Sequence, residues 1–284
     1  MQIFKDRVAV VTGGASGLGR AMALRFAREG MKIVLADVEQ GALSRTENEF
    51  KAAGYPVLAV RTDVSKGRDV DALADAAFKT FGAVHVLCNN AGVAPGGTVW
   101  EQSEKDWEWT LGVNVWGVIH GIRAFVPRML RQNSEGHIVN TASVAGLLSL
   151  PGMAMYCVSK HSVVTLTECL HHDLIEAGAN LRASVLCPAF VPTGISDSER
   201  NRPAALRDES TAKSSADLMR EEQLRHAVKS GRVSAEQVAD LVFQAISTNK
   251  FYVLPHQKIK PSVETRMQDI LLERDPTNTL NKRA

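Results

Sequence analysis

The sequence predicts an α/β protein: a doubly wound parallel sheet of about seven strands with helices on both faces. Three observations point there. Short apolar runs such as Val8-Ala9-Val10-Val11 and Lys32-Ile33-Val34-Leu35-Ala36-Asp37 recur along the chain, as strands buried on both faces require. Segments with helical apolar spacing separate them, which supplies the crossovers a parallel sheet needs. The first run passes directly into Thr12-Gly13-Gly14-Ala15-Ser16-Gly17-Leu18-Gly19, and Met22, Leu24, Phe26 and Ala27 continue at helical spacing. A glycine-rich turn at such a junction lets backbone N–H groups approach a phosphate at the helix N-terminus.

The turn reads G-x-x-x-G-x-G rather than G-x-G-x-x-G, so its place in the chain says more than its spelling. The second strand ends at Asp37, 20 positions after Gly17. A carboxylate there accepts from both hydroxyls of an adenosine ribose and repels a 2′-phosphate. Val38 follows, and the glycine turn carries no Lys or Arg, so nothing basic waits for that phosphate and NAD is preferred over NADP. The alternative role for Asp37 is a cap of the following helix. Val57–Arg61 is the third strand, followed by Asp63 and Val64, where the carboxylate can reach an adenine amine. A helix is expected over Asp69–Phe81 and a fourth strand over Val84–Cys88, ending in Asn89-Asn90-Ala91-Gly92. Sheets of this kind bind ligands at the carboxyl ends of their strands. The glycine turn, Asp37, Asp63 and Asn89–Gly92 all fall on that edge, in a Rossmann-like arrangement.

Trp107–Arg131 reads as two helices, broken by Gly112, Gly117, Gly121 and Pro127, with Asn114 near the start of the second. Trp107, Trp109 and Trp116 are expected in the core or in subunit contacts. His137–Ala142 is the fifth strand, with Ser143 just past its end. The next helix runs to about Ala177 and carries Tyr156 and Lys160, which share a face at i and i+4. A free phenol has a pKa of ~10 and is a poor base at neutral pH. A cation about 4 Å away, at an effective dielectric of ~20, favours the phenolate by roughly 4 kcal/mol, about three pKa units. That brings Tyr156 into the range of a general acid–base group. His171 and His172 face different directions and read as packed or solvated, and no cluster has the spacing of a metal site.

Leu181–Cys187 is the sixth strand, followed by Pro188-Ala189-Phe190-Val191-Pro192-Thr193. Thr193–Arg232 holds 15 charged residues among 40. Its position after a ligand-edge strand predicts a mobile lid, the alternative being a solvated surface excursion. A helix over Ala235–Thr248 and a last strand over Phe251–Leu254 follow. The polar C-terminal extension, 255–284, has a helical stretch around Val263–Leu272. One domain accounts for 1–284.

Composition narrows the partners. The 284 residues are 45% hydrophobic, with 33 basic and 31 acidic residues interspersed, which argues against a dedicated nucleic-acid surface. Cys88, Cys157, Cys169 and Cys187 show no C-x-x-C spacing and read as free thiols of a reducing compartment. The N-terminus lacks an apolar signal core and no run of ~18 apolar residues occurs. A cytoplasmic protein without a membrane span is expected.

Over Arg7–Leu254 the chain resembles the compact, single-domain short-chain dehydrogenases/reductases. The likeness rests on the Thr12–Gly19 turn, Asp63, Asn89-Asn90-Ala91-Gly92, Asn114, and Ser143 with Tyr156 and Lys160 in S-x₁₂-Y-x₃-K spacing. The resemblance implies that Tyr156 takes the hydroxyl proton as hydride leaves carbon for a nicotinamide, and that Ser143 hydrogen-bonds the substrate oxygen. It implies that Lys160 binds the nicotinamide ribose and lowers the Tyr156 pKa, and that Asn114 holds a water joining Lys160 to solvent. Cofactor contacts are implied for Gly13, Ser16, Gly17, Leu18, Gly19, Asp37, Val38, Asp63, Val64, Asn90, Ala91, Gly92, Tyr156, Lys160, Pro188, Val191 and Thr193. The family usually has Pro-Gly where this chain has Pro188-Ala189; Ala does not freely adopt positive φ, so a strained or shifted loop is expected. Ala145, Leu147, Leu150, Met153, Ala189, Phe190 and Ile195 would line the substrate side, with no Lys or Arg among them. That favours an apolar secondary alcohol or ketone with an aromatic or alicyclic body. Phe125–Leu130, Gly136–Val139 and Leu254–Pro261 also resemble bacterial dehydrogenases of benzylic alcohols in lignin-derived aryl ethers. The same likeness implies a homodimer or homotetramer.

Two other classes share the scaffold. A lyase or epimerase branch usually has a G-x-x-G-x-x-G turn and a longer C-terminal substrate domain, both absent here. A non-catalytic cofactor sensor tends to lose the Tyr or the Lys, and this chain has both.

Overall fold

The structure, a computed structural model, describes residues 1–207 and 215–278. Strands β1 (Val8–Thr12), β2 (Lys32–Asp37), β3 (Val57–Arg61), β4 (Val86–Asn89), β5 (Gly136–Thr141), β6 (Leu181–Leu186) and β7 (Tyr252–Val253) form one sheet. Their order is β3-β2-β1-β4-β5-β6-β7 and every pairing is parallel. The helices are α1 (Gly17–Arg28), α2 (Gln40–Ala52), α3 (Gly67–Phe81), α4 (Glu104–Leu111), α5 (Gly117–Gln132), α6 (Ala154–Glu176), α7 (Ser215–Lys229), α8 (Ala235–Thr248) and α9 (Lys260–Leu271). The expected doubly wound sheet is present. The parts of the expected lid and extension at 208–214 and 279–284 lie outside the described residues.

Alternate side chains of a strand point to opposite faces, and β1 shows the result. Ala9 and Val11 pack with Phe26 of α1, Phe50 of α2 and Val242 of α8. Val8 and Val10 pack with Leu73 of α3, Phe125 of α5 and Leu174 of α6. Burying each such large side chain contributes roughly 1.5–3 kcal/mol, so both faces must be covered. Helix α8 begins where its spacing predicts because Ser234 and Gln237 form a reciprocal cap, with bonds of 3.2 and 2.8 Å. Helix α2 has no comparable sequence signature, since it buries only Leu43, Thr46 and Phe50. No helix among the described residues is long and apolar enough to cross a membrane.

Several boundaries differ from expectation. β4 starts at Val86 rather than Val84, whose N–H donates instead to Gln132 Oε1 at 3.0 Å. Only Tyr252 and Val253 of the expected last strand pair with β6. The stretch around Gly112 and Gly117 is not broken: both glycines have helical dihedrals, and a π-turn over Gly112–Trp116 joins α4 to α5. Asn114 therefore sits in the π-turn, not near the start of a second helix. Gly117 serves close packing there, since a Cβ on it would come within 2.8 Å of Val64.

Candidate active site

The strand order reverses between β1 and β4, which opens a crevice at their carboxyl ends. The turns after the two strands are tied together across it. Thr12 Oγ1 accepts from Asn90 N at 2.9 Å and from Ala91 N at 3.1 Å. Asn90 Nδ2 donates to Thr12 O at 3.0 Å, and Thr141 Oγ1 donates to Asn90 Oδ1 at 3.2 Å. The glycine turn must be glycine where it closes on itself. Gly13 has φ +63°, and a Cβ on Gly19 would lie 2.0 Å from Gly13 O. Ser16 precedes α1 in extended conformation without a side-chain cap. The first N–H groups of α1 thus meet no capping side chain at a glycine-rich part of the cavity wall, which suits a phosphate.

At the end of β2, Asp37 Oδ2 accepts from Ala15 N at 3.1 Å and Oδ1 from Glu39 N at 3.0 Å. Burial raises its pKa, and these two N–H donors oppose that rise. The carboxylate ties β2 to the glycine turn while each oxygen keeps an acceptor site. Asp63 Oδ1 accepts from Ser65 N at 3.1 Å and Ser65 Oγ at 2.6 Å. Burial alone would raise the Asp63 pKa, but Ser65 and the Lys66 ammonium hold it below the ordinary carboxylate value. The expectation that nothing basic lies near Asp37 needs correction. Folding brings Arg61 Nε to 3.4 Å from Val38 O, and Arg200 to 2.7 Å from Glu39 Oε1. Arg200 comes from 161 residues away and is neutralised by Glu39.

Beyond β5, Ser143 Oγ donates to Pro188 O at 3.3 Å and accepts from Ala145 N at 3.2 Å. Helix α6 carries Tyr156 and Lys160 to the same place. Lys160 is 3% exposed and donates to Thr141 O at 3.0 Å, with Nζ 5.6 Å from the Tyr156 ring centroid. The expected lowering of the phenol pKa is not found. Burial pushes Tyr156 up to about 12, with the Ser143 hydroxyl opposing, and burial pushes Lys160 down to about 8. Desolvation disfavours the charged form of each group and is the largest cause of both shifts. Asn114 is fully buried: Oδ1 accepts from Val93 N at 2.8 Å, and Nδ2 donates to Val93 O at 2.9 Å and Ser159 Oγ at 3.0 Å. Gly92 lies between it and Lys160, because a Cβ there would stand 3.3 Å from Asn114 Oδ1 and 3.5 Å from Lys160 Nζ.

One cavity of about 940 Å³ runs along this edge. It is lined by Gly13, Ser16, Gly17, Leu18, Asp37, Val38, Asp63, Val64, Asn90, Ala91, Gly92, Ser143, Tyr156, Lys160, Pro188, Val191 and Thr193, and by Ala145, Leu150, Met153, Ala189, Phe190 and Ile195. Three expected residues stand outside its wall. Gly19 supports Gly13 from behind, Asn114 supports Val93, and Leu147 packs with the Val118–Val163 cluster. Trp109 is buried as expected and Trp116 is exposed, and both also line the cavity. Leu206, Leu224 and Val228 join them from the Thr193–Arg232 segment; a charge-rich composition concealed their inward faces. Ala189 is not among the residues with positive φ. The turn accommodates its Cβ without left-handed backbone, so the expected strain is absent.

The model of the short chain dehydrogenase family matches residues 7–204. A CLA biosynthesis dehydrogenase/reductase of Lactiplantibacillus plantarum is 35% identical over 278 residues, covering 97% of each chain. A C alpha-dehydrogenase of Sphingobium sp. is 30% identical over 284 residues, covering 97% of this chain and 90% of the relative. The crystal structure of a short chain dehydrogenase/reductase from Burkholderia phymatum in complex with NAD matches with a TM-score of 0.96 at 56% identity, over 98% of both chains.

Proposed function

The chain belongs to the short-chain dehydrogenase family, and from that premise we propose that it interconverts an apolar secondary alcohol and its ketone using NAD. It is an oxidoreductase, as its relatives are. The observation that carries the reading is that Ser143, Tyr156 and Lys160 line the same cavity as the glycine turn and Asp37. The phosphates would lie on Gly13 and Ser16–Gly19, the adenosine on Asp37, Val38, Asp63 and Val64, and the nicotinamide half against Asn90–Gly92, Pro188, Val191 and Thr193. In the oxidative direction Tyr156 accepts the hydroxyl proton and Ser143 hydrogen-bonds the substrate oxygen. Lys160 holds the nicotinamide ribose and favours the phenolate, and Asn114 keeps the Val93 backbone beside it on the proton's way to solvent. Bound nicotinamide supplies the hydride acceptor and a positive ring near the phenol.

The substrate wall is apolar, and Arg200 is turned to Glu39, which favours an aromatic or alicyclic body over a carboxylate or phosphate. The described parts of the charged segment, 193–207 and 215–232, act as the lid over it, with Leu206, Leu224 and Val228 as the inner face. Incubating the protein with NAD⁺ and a panel of apolar secondary alcohols should produce NADH absorbance. Tight NAD binding with no turnover of any alcohol would instead indicate a sensor; conversion without NADH would indicate a lyase or epimerase.

Cofactor choice follows from Asp37. Placing a 2′-phosphate beside this carboxylate, with Glu39 two residues on, should favour NAD⁺ over NADP⁺ by at least about tenfold in kcat/KM, or ~1.4 kcal/mol. Asp37→Ala combined with Val38→Arg should narrow or reverse the ratio. Equal use of both cofactors by the wild type would refute the role of Asp37.

We also infer a homodimer or homotetramer built on α5 and α6. Leu130 of α5 and Val158 and Ile175 of α6 are 39%, 46% and 56% exposed, which leaves apolar surface on both helices. Light scattering at micromolar concentration should give a mass of two or four chains. A monomer mass would remove this assignment.

A further inference from the structure

His256 stands outside all of these roles. It follows β7 in the C-terminal extension, and its ring reaches back to the turn after β6. There Ala189 N donates to His256 Nδ1 at 3.1 Å, between residues 67 apart in sequence. A ring nitrogen that accepts is unprotonated, so the proton of the neutral imidazole sits on Nε2. That Nε2 is buried without a hydrogen-bond partner among the described residues. Burial holds the His256 pKa below its ordinary value, with the Phe190 backbone opposing, and this keeps the ring in its accepting form.

The turn that His256 meets is held from two other sides. Pro188 O accepts from Val144 N at 2.9 Å and from Ser143 Oγ at 3.3 Å. Gly231 lies against the next residue, since a Cβ there would come within 2.5 Å of Phe190 O. Ala189 has no positive φ, so no left-handed glycine dictates the path of this turn. Its geometry depends on the groups around it, and among these His256 meets the Ala189 N–H.

We propose that His256 is a positioning residue for the reaction. By accepting the Ala189 N–H it holds the Pro188–Val191 turn where the Pro188 carbonyl orients the Ser143 hydroxyl and Val191 faces the cofactor cavity. The inference rests on the roles assigned above to Ser143 and to this turn. Without the acceptor, the Ala189 N–H loses its bond and the turn relaxes toward any geometry that satisfies it. Ser143 and the nicotinamide contacts move with it.

Two substitutions in the protein separate acceptor from bulk. His256→Leu keeps volume and removes the acceptor, while His256→Asn offers an oxygen near the place of Nδ1. The Leu variant should raise the NADH dissociation constant, read by fluorescence titration, and lower kcat, each by about tenfold, the scale of one buried hydrogen bond left unmade. The Asn variant should recover most of both. A Leu variant that matches wild type overturns the proposal, and so does an Asn variant as impaired as the Leu one. If the Leu variant does not fold, nitrogen NMR of the wild-type His256 ring decides: an unprotonated Nδ1 at neutral pH supports the proposal and a protonated Nδ1 overturns it. A wild type that neither binds NADH nor oxidises any alcohol refutes the functional reading and this inference with it. An active wild type with an unimpaired Leu variant refutes the inference alone.

Discussion

Replacing Tyr156 by Phe should lower kcat by about 10²–10⁴-fold, the range of general acid–base catalysis, while leaving the NADH dissociation constant nearly unchanged. The substitution keeps the ring and its packing and removes the hydroxyl beside Ser143. The Ser143 hydroxyl opposes the rise of the Tyr156 pKa, which places the phenol beside it, and Lys160 donates to Thr141 O at 3.0 Å in the same wall. The pH dependence has a definite sign. Oxidation needs phenolate, and burial pushes the phenol up to about 12. The oxidation rate should therefore climb with pH from neutrality upward, and positive charge at the site should move that limb to lower pH. Initial rates and NADH fluorescence on the purified variant check both parts. A Phe variant keeping more than about a tenth of wild-type kcat would exclude Tyr156 as the base.

Lys160→Met should abolish most activity and yet stabilise the protein at neutral pH. Lys160 is nearly inaccessible, and burial pushes its pKa from 10.5 down to about 8. A group depressed in the folded state binds its proton more tightly when unfolded. Below pH 8 both states carry the proton and the full penalty applies. Between about 8 and 10.5 the unfolded chain holds more protons, so stability rises with pH across that window. The shift corresponds to roughly 3 kcal/mol, and Met keeps the stem while removing the charge. Tm at pH 7 should rise by several degrees, on the order of 2–4 °C per kcal/mol for a chain this size. The gain should shrink as pH passes from 8 toward 10.5. Equal melting temperatures of the two proteins throughout would show that the ammonium is not destabilising there. In the same variant the loss of a cation near the phenol removes support for phenolate, so residual oxidation should have its acidic limb at higher pH. If activity fell through NAD affinity alone and the limb stayed in place, Lys160 would be a ribose ligand only.

The sequence by itself determined the strands, their parallel crossovers and which strand ends carry the ligand residues, because those follow from local signals. Val8–Val11 is continuously apolar and must be buried on both faces. The glycine turn follows it directly, and Asp37 closes the next strand at a fixed distance. Tyr156 and Lys160 share a face through helix geometry alone. What needed tertiary structure was everything that depends on surroundings rather than spacing. The charges of Tyr156 and Lys160 are ruled by desolvation, which no residue pattern displays, so the expected lowering of the phenol gave way to a rise. Gly112 and Gly117 look like helix breakers in one dimension; both adopt helical dihedrals, and Gly117 proves to be a packing position against Val64. Arg200 reaches Glu39, and His256 reaches Ala189, across 161 and 67 residues. Contacts of that range are set by where strands β2, β6 and β7 lie in the sheet, and strand order is a property of the folded chain.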